Sequence, residues 1–312
     1  MGIYSVKNRN FGPIQLQMND SRRRLFYLVV LSIIWGSSYI LIKKGLEGFT
    51  ALQLWGVRVL MAGLILMLIG SRSLRTIGRD QWKWVALSGL VGSFIPMFLF
   101  AWAETEIDSS IASILNSLVP LFTLFVGYAL FRISFSMNQL AGVLVGLAGA
   151  GLLIYLGSEV NPNQNYWYSS GVVIASFCYA INANLIKSKL QSVSPMGIAT
   201  GNFLFLILPA LGVVLISGAL DAPVREGPYF WSSLGYIALL CVFGTAIAKV
   251  MFNRLIQIST PVFSVSVTYL IPVVGVFWGI LDGERFSVGQ LAAASLILLG
   301  VYLVNKMKKA PR

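Results

Sequence analysis

Residues 25–42 read LFYLVVLSIIWGSSYILI, an apolar run that follows Arg22-Arg23-Arg24 and is closed by Lys43-Lys44. At 1.5 Å of rise per residue, a helix of this length nearly crosses the hydrocarbon core of a bilayer, which is about 30 Å thick. No small-residue cleavage pattern follows the run. The stretch therefore predicts an uncleaved first membrane helix rather than a secretory signal.

Nine further runs of this kind follow, so the sequence predicts ten transmembrane helices and an all-α integral membrane protein. The predicted spans are 25–42, 52–69, 84–103, 111–131, 140–156, 171–186, 196–217, 231–252, 262–281 and 289–304. The connections between them are short, and none is long enough to hold a soluble domain.

The composition excludes most other classes of protein. Residues of the set AVILMFWYC make up 57% of the 312 residues and charged residues only 11%, whereas soluble domains carry about 25% charged residues. The chain has no histidine, and Cys178 and Cys241 both lie in apolar runs. No phosphate-binding glycine loop occurs. We therefore expect no enzyme, no metal or other cofactor, and no ATP-binding subunit.

The placement of charge predicts the orientation. If the N-terminus is cytoplasmic and ten spans alternate, 17 of the 23 basic residues lie on the inside and nine of the 11 acidic residues on the outside. The positive-inside rule favours this arrangement, with both termini cytoplasmic. The net charge of +12 then belongs to the cytoplasmic face of a membrane, and no nucleic-acid partner is needed to explain it.

The two halves of the chain resemble each other. Residues 116–120, NSLVP, parallel residues 268–272, TYLIP, at an offset of 152, and Gly92-Ser93 parallels Gly244-Thr245 at the same offset. Each half contains five predicted helices, an odd number, so the second half must cross the membrane in the opposite sense. Inverted repeats are typical of secondary transporters, which bind substrate near the midplane between the repeats.

This pattern predicts five parts of the chain. They are a cytoplasmic tail at 1–24, a first five-helix repeat at 25–156, an extracytoplasmic linker at 157–170, a second five-helix repeat at 171–304 and a basic cytoplasmic tail at 305–312.

Several stretches resemble an EamA-type permease of the drug/metabolite transporter superfamily, and the likeness covers about residues 25–304. They are residues 34–39 (IWGSSY), Arg58, the two proline-centred helices, and residues 282–285 (DGER) with Gln290 and Gly300. The resemblance implies a basket of ten helices around a central cavity, and export, or occasionally uptake, of small metabolites such as amino acids. Residues 131–133 (FRI), where the family often has an acidic Gly-Glu pair, and Lys249 depart from the family pattern.

Two ionisable residues lie within predicted spans. An ionised side chain at the depth of Arg58 costs about 2.5–3.5 kcal/mol on insertion scales. Arg58 is therefore either a counter-charge for an anionic substrate group such as a carboxylate, or a structural residue. In the structural role it ties helix ends together or snorkels to the outer surface near Glu47 or Glu104. Lys249 lies about one turn from the cytoplasmic end of its span, and we favour snorkelling of its side chain to that surface beside Arg254.

Other candidates for the cavity are polar or aromatic residues inside the spans, namely Trp35, Tyr39, Asn116, Ser117, Asn182, Thr268 and Tyr269. Pro120 and Pro272 each free a backbone carbonyl one turn earlier and permit a kink, so they are candidates for gating. For each single Asn, Ser or Thr, an ordinary hydrogen bond between helices is the simpler explanation.

The sequence thus predicts a multi-pass secondary transporter of the cell membrane that moves small organic metabolites, amino-acid-like or drug-like, by alternating access, in the direction of export. No Asp or Glu lies deep in any span, and the acidic residues near the helix ends lie at the outer rim. We therefore expect no dedicated proton site at the midplane. The alternative is a flippase for lipids or lipid-linked sugars with similar helices.

Overall fold

In a computed structural model of the chain, the structure describes residues 20–131, 137–160 and 163–305, and these ranges form helices and no strands. A helix satisfies its own backbone hydrogen bonds, as a segment in lipid must. The helices of the first half are α1 (Asp20–Leu46), α2 (Ala51–Gly70), α3 (Trp82–Gly89), α4 (Ile95–Ala103), α5 (Ser109–Leu115), α6 (Val119–Phe131) and α7 (Met137–Val160). Most of the tails predicted at 1–24 and 305–312 lies outside the described residues.

The second half repeats this order. Its helices are α8 (Ser169–Lys189), α9 (Pro195–Ile216), α10 (Ala222–Arg225), α11 (Phe230–Leu239), α12 (Ala248–Ile258), α13 (Pro261–Val265), α14 (Ile271–Leu281) and α15 (Val288–Asn305). Large apolar side chains such as Leu68 and Ile216 are 83% and 88% exposed. Exposed apolar surface of this kind indicates contact with lipid.

Eight helical segments within the described ranges are long and apolar enough to cross a membrane, against the ten that the sequence predicts. They are Arg22–Leu46, Ala51–Thr76, Arg79–Ala103, Ser109–Phe131, Tyr166–Lys189, Pro195–Ile216, Phe230–Ile258 and Pro261–Leu281. The fifth and tenth predicted spans correspond to α7 and α15. Their apolar parts, Leu140–Leu156 and Val288–Gly300, are shorter than the others.

Helices α7 and α15 pack closely against each other through small residues. A Cβ atom on Gly300 would clash with the backbone of Gly142 and Gly146, and one on Gly149 would lie 2.8 Å from the backbone nitrogen of Ile297. Small residues allow membrane helices to approach this closely. Gly142, Gly146 and Gly149 therefore lie on the face of α7 that contacts α15.

Irregular helical segments occur at matching places in the two halves. Leu90–Phe94 and Leu240–Ile247 are π-helical, and Asn116–Leu118 and Ser266–Tyr269 are 3-10 helices. The π segments contain the aligned pairs Gly92-Ser93 and Gly244-Thr245, and the 3-10 segments contain the first residues of the aligned stretches 116–120 and 268–272. Because π-helical turns are frequent at functional sites, they mark where such a site is expected.

The first helix of each half packs against the other half. Helix α1 packs on α14 and on the π segment Leu240–Ile247 of the second half, while α8 packs on α6 and on the π segment Leu90–Phe94 of the first. Both π segments therefore lie at the interface between the halves, and each is covered by a helix of the other half.

Candidate functional site

A cavity of about 90 Å³ lies between the two halves. A single water needs roughly 10–15 Å³ on this measure, so the cavity has room for several waters or a small solute. Its walls come from both halves and include Gly92 and Gly244 of the two π segments. Inverted-repeat transporters bind substrate at such a position.

The structure brings most of the predicted site residues together. Those that line the cavity are Trp35, Tyr39, Arg58, Asn116, Asn182, Lys249 and Thr268. Ser117 and Tyr269 are not among its lining residues. The Ser117 hydroxyl is buried and donates to the carbonyl oxygen of Thr268 at 3.0 Å, and Tyr269 packs against the apolar core. The carbonyl that Pro272 frees is therefore bonded to protein.

Arg58 is held in the wall of the cavity by α2. Thr50 and Gln53 form a capping box that fixes the start of this helix, and the backbone N–H of Gln53 donates to Thr50 Oγ1 at 3.3 Å. Arg58 follows two turns later and is only 6% exposed. Its Nε donates to Thr245 Oγ1 at 3.4 Å, and its terminal nitrogens donate to no residue in the described part of the chain. They are available to a solute.

Lys249 also lines the cavity and is buried. Its ammonium group donates to the carbonyl oxygen of Gly92 at 2.6 Å and to Ser93 Oγ. The interpretation that Lys249 snorkels to the cytoplasmic surface beside Arg254 is therefore wrong. The π segment Leu240–Ile247 immediately precedes α12 and changes the angular register that a regular helix would give Lys249.

The cavity contains two basic groups and no acidic one: Arg58 and Lys249 line it, and no Asp or Glu among the described residues does. Charge–charge attraction is much stronger at low dielectric than in water. Two buried basic groups with no acidic residue beside them in the described lining will therefore favour an anionic group on whatever enters.

Aromatic rings form much of the remaining wall. Trp35 packs edge-on against Phe252 with ring centroids 4.9 Å apart, and its indole nitrogen donates to the Gly244 carbonyl oxygen at 3.0 Å. Tyr39 packs edge-on against Phe100 at 5.6 Å. These hydrogen-bonded and stacked rings give the cavity an apolar surface suited to an aliphatic or aromatic body.

Four side chains form an ion-pair cluster at one end of the bundle. The charge pattern assigns this end to the outside, and it is here termed the outer end. The cluster consists of Lys43, Lys44, Asp282 and Glu284. Lys43 Nζ lies 2.7 Å from Asp282 Oδ2 and 2.8 Å from Glu284 Oε1, and Lys44 Nζ lies 2.8 Å from Asp282 Oδ1. Burial tends to raise the pKa of Asp282, but the hydrogen bonds from Lys43 and Lys44 outweigh it and hold that pKa below its ordinary value.

Glu284 connects this cluster to α5. Its oxygens accept hydrogen bonds from the backbone nitrogens of Ser109 and Ser110, each at 3.1 Å, and from both serine hydroxyls. The ion-pair cluster therefore joins α1 and α5 of the first half to the loop after α14 in the second. Sequence reasoning placed these acids at the rim but did not predict the connection.

Glu104, at the end of α4, is the site residue that sequence reasoning missed. It is only 6% exposed, and neither of its carboxyl oxygens has a hydrogen-bond partner among the described residues. It lines a second cavity at the outer end, of about 740 Å³, together with Lys43, Glu47 and Tyr229. Burial, and next the charge of Glu284, raise the pKa of Glu104 well above its ordinary value, although Arg58 and Lys43 oppose this.

Comparisons with known proteins agree with this architecture. The model of the EamA-like transporter family matches residues 22–155 and again residues 167–306. The uncharacterized inner membrane transporter YedA of Escherichia coli strain K12 is 32% identical over 290 residues, which cover 89% of each chain.

Two more distant relatives have more specific names. A probable amino-acid metabolite efflux pump of Salmonella typhimurium strain LT2 is 26% identical, covering 91% of this chain and 95% of the relative. An S-adenosylmethionine/S-adenosylhomocysteine transporter of Chlamydia muridarum is 21% identical, covering 90% and 91%. A protein crystal structure aligns with 91% of this chain and 96% of its own at a TM-score of 0.62 and 17% identity, so the two share a fold.

Proposed function

Because this chain belongs to the EamA-like transporter family and is a multi-pass protein of the inner membrane, we propose that it is a secondary transporter that moves small organic metabolites out of the cell by alternating access. We also propose that α7 and α15 complete a set of ten membrane helices in two inverted five-helix repeats, with both termini cytoplasmic. The central cavity between the halves supports this proposal, as does the efflux named for one relative.

The solute in this proposal carries a carboxylate. The observation that supports it is the free donor capacity of Arg58 in a cavity whose only charged lining residues, among those described, are Arg58 and Lys249. The planar guanidinium group of an arginine matches a carboxylate in a two-pronged hydrogen-bonded pair. Lys249 places a second basic group in the same wall.

The rest of the solute is amino-acid-like in this proposal. The Asn116 amide oxygen is buried at the cavity and has no hydrogen-bond partner among the described residues. It is therefore a suitable acceptor for an amino group. The rings of Trp35, Tyr39 and Phe100 provide an apolar surface for a side chain.

Alternating access needs contacts that break at one end while others form at the opposite end. In our proposal the ion-pair cluster of Lys43, Lys44, Asp282 and Glu284 closes the outer end. Pro120 and Pro272, which adjoin the 3-10 segments at the cavity, act as pivots.

Counterflow in vesicles tests this proposal. The purified protein is reconstituted, the vesicles are loaded with unlabelled solute, and uptake of labelled L-leucine, L-phenylalanine, phenylacetate and phenethylamine is followed. We expect counterflow of one or more of the carboxylates and none of phenethylamine, which lacks the carboxylate. Arg58→Ala should abolish the signal, whereas Arg225→Ala, which removes an exposed arginine, should retain it.

Two results would overturn the proposal. One is full counterflow in the Arg58→Ala variant at equal protein content. The other is a protein that moves no solute of this panel but translocates a fluorescent phospholipid between leaflets, which would make it a flippase.

A further inference from the structure

Glu104 is a buried carboxyl group for which the transport cycle above has no role. It follows the last residue of α4, Ala103, and its two oxygens are unbonded within the described part of the chain. An ionised carboxylate without hydrogen bonds is strongly disfavoured away from water, so such a group tends to take up a proton. Burying this carboxyl group costs free energy that an apolar side chain of similar size would not cost.

Glu104 lies between the two cavities. It is one of the residues that line the outer cavity, and its carboxyl oxygens are themselves buried. The helix that it follows, α4, packs on α2, which carries Arg58 of the central cavity, and the charges of Glu104 and Arg58 act on each other across this contact. Glu104 and Arg58 therefore connect the outer solution electrostatically with the solute site.

The other titratable groups around Glu104 are contributed by three elements. Tyr39 and Lys43 face it from α1, Arg58 from α2, and Glu284 from the loop after α14. Helix α8 also packs on α4, and its Tyr179 acts on Arg58. Lys43 and Glu284 already pair with each other at 2.8 Å. Arg58 is therefore the cation in this group whose terminal nitrogens can still accept a new partner among the described residues or a solute.

We propose that Glu104 is a proton-binding site linked to the solute site, so that a solute carboxylate bound at Arg58 is carried together with one proton on Glu104. This inference rests on the function proposed above and names its coupling ion. On solute binding, a proton from water forms an O–H bond with the Glu104 carboxylate, and on solute release the same bond breaks and the proton returns to water. No other group changes its covalent state.

The direction of the coupling follows from the charges. A solute carboxylate occupies the donors of Arg58 and adds a negative charge near Glu104, so it favours the protonated, neutral form of Glu104. By thermodynamic reciprocity, protonation of Glu104 strengthens binding of the solute by the same factor. Solute and proton therefore move in the same direction, so export proceeds when the outward gradient of the solute exceeds any inward gradient of the proton.

A pH gradient without a solute gradient tests the coupling. Vesicles containing the protein hold equal concentrations, inside and out, of the panel solute that gives the strongest counterflow, and a difference of about one pH unit is then imposed. We expect wild-type vesicles to accumulate the solute on the alkaline side, towards a limit of about tenfold for one proton per solute. Protein-free vesicles report passive diffusion.

Glu104→Gln, which resembles the protonated side chain, should retain counterflow but lose the accumulation driven by the pH gradient. Glu106→Gln is the matched control, because Glu106 lies two residues further along and is only partly buried; it should accumulate solute as the wild type does. Accumulation by Glu104→Gln equal to the wild type, or wild-type counterflow that ignores the pH gradient, would overturn the proposal.

An infrared titration without solute separates this proposal from the proposed function. The difference spectrum between wild type and Glu104→Gln should show the carbonyl stretch of a protonated carboxyl group that persists at pH values above the ordinary pKa of a glutamate and disappears only as the pH is raised further. If no panel solute is transported but this signal is present, the proposed function fails and the proton site stands. If the signal is absent while counterflow persists, the proton site is refuted and the transport function stands.

Discussion

The ammonium group of Lys43 lies 2.8 Å from Oε1 of Glu284, and this ion pair joins the two halves of the protein at the outer end. The side chain of Glu284 is 1% exposed, whereas that of Lys43 is 31% exposed. A buried carboxylate needs its charged partner more than an exposed one does, because it has no water to replace that partner. In the proposed transport cycle, this ion pair therefore helps to hold the outer end closed.

Glu284→Gln should weaken this closure. The amide keeps the size of the side chain but loses the charge that Lys43 pairs with. The test uses a variant without Cys178 and Cys241 in which Ser38, in the cavity, is replaced by cysteine. In this background, Glu284→Gln should make the cysteine react several-fold faster with a membrane-impermeant thiol reagent added from outside. A change of about 1 kcal/mol shifts a two-state population roughly fivefold. Glu226→Gln, at an exposed acid that follows α10 and forms no ion pair within the described ranges, should leave the rate unchanged. An unchanged rate in Glu284→Gln would exclude the gate.

Arg58→Lys should impair transport although it preserves the charge. A lysine lacks the planar fork that binds a carboxylate through two hydrogen bonds. Losing one charge-assisted hydrogen bond costs about 1.5–3 kcal/mol, or roughly 10–150-fold in kcat/KM for a carboxylate solute. Initial rates of efflux over a range of solute concentrations measure this. Wild-type kinetics in Arg58→Lys would show that the position supplies charge alone.

Lys249→Met should separate solute affinity from stability. The substitution removes a buried basic group that donates hydrogen bonds to the Gly92 carbonyl oxygen and to Ser93 Oγ. Replacing buried ionic groups by apolar ones of similar volume is often neutral or stabilising by about 1–4 kcal/mol. We expect an equal or higher Tm in detergent together with a weaker affinity for the solute. Lys83→Met, at an exposed lysine, controls for general effects of charge. A marked fall in Tm would identify Lys249 as a structural residue.

Glu104→Gln should change how stability depends on pH. The pKa of Glu104 in the folded protein is raised, chiefly by burial, so the folded state binds more protons than the unfolded state at pH values between the ordinary and the raised pKa. Stability is then lost as the pH rises through this window. The variant cannot ionise at this position, and its Tm relative to that of the wild type should increase as the pH rises above the ordinary pKa of a glutamate. A margin that does not vary with pH would contradict the buried position of this carboxyl group.

Gly300→Ala should destabilise the contact between α7 and α15. A Cβ atom there would meet the backbone of Gly142 and Gly146, which cannot move aside as a flexible side chain can. Overpacking of this kind costs about 1–3 kcal/mol, which lowers Tm by roughly 2–4 °C per kcal/mol in a chain of this size. Gly151→Ala, in α7 where a Cβ has open space, should leave Tm within about a degree of the wild type. Equal Tm values for both variants would rule out close packing at Gly300.

The sequence by itself determined the class of the protein and its internal repeat. The length of an apolar run and the cost of burying a charge are local properties, so the membrane helices and the unusual position of Arg58 follow from the residues alone. The matched pairs Pro120 with Pro272 and Gly92 with Gly244 also indicated where both halves become irregular. The count of eight long apolar helices in the described ranges differs from ten because the apolar parts of α7 and α15 are short.

Only the tertiary structure decided which side chains meet. Lys249 bonds to Gly92 across 157 residues of sequence, and Ser117 bonds to Thr268 across 151. Contacts at such separation depend on how the halves dock, and the π segments shift the face that each following residue presents. Glu104 stands at the end of an apolar run and reads as a rim residue in the sequence. It is buried because neighbouring elements cover that helix end, a fact that no local pattern contains.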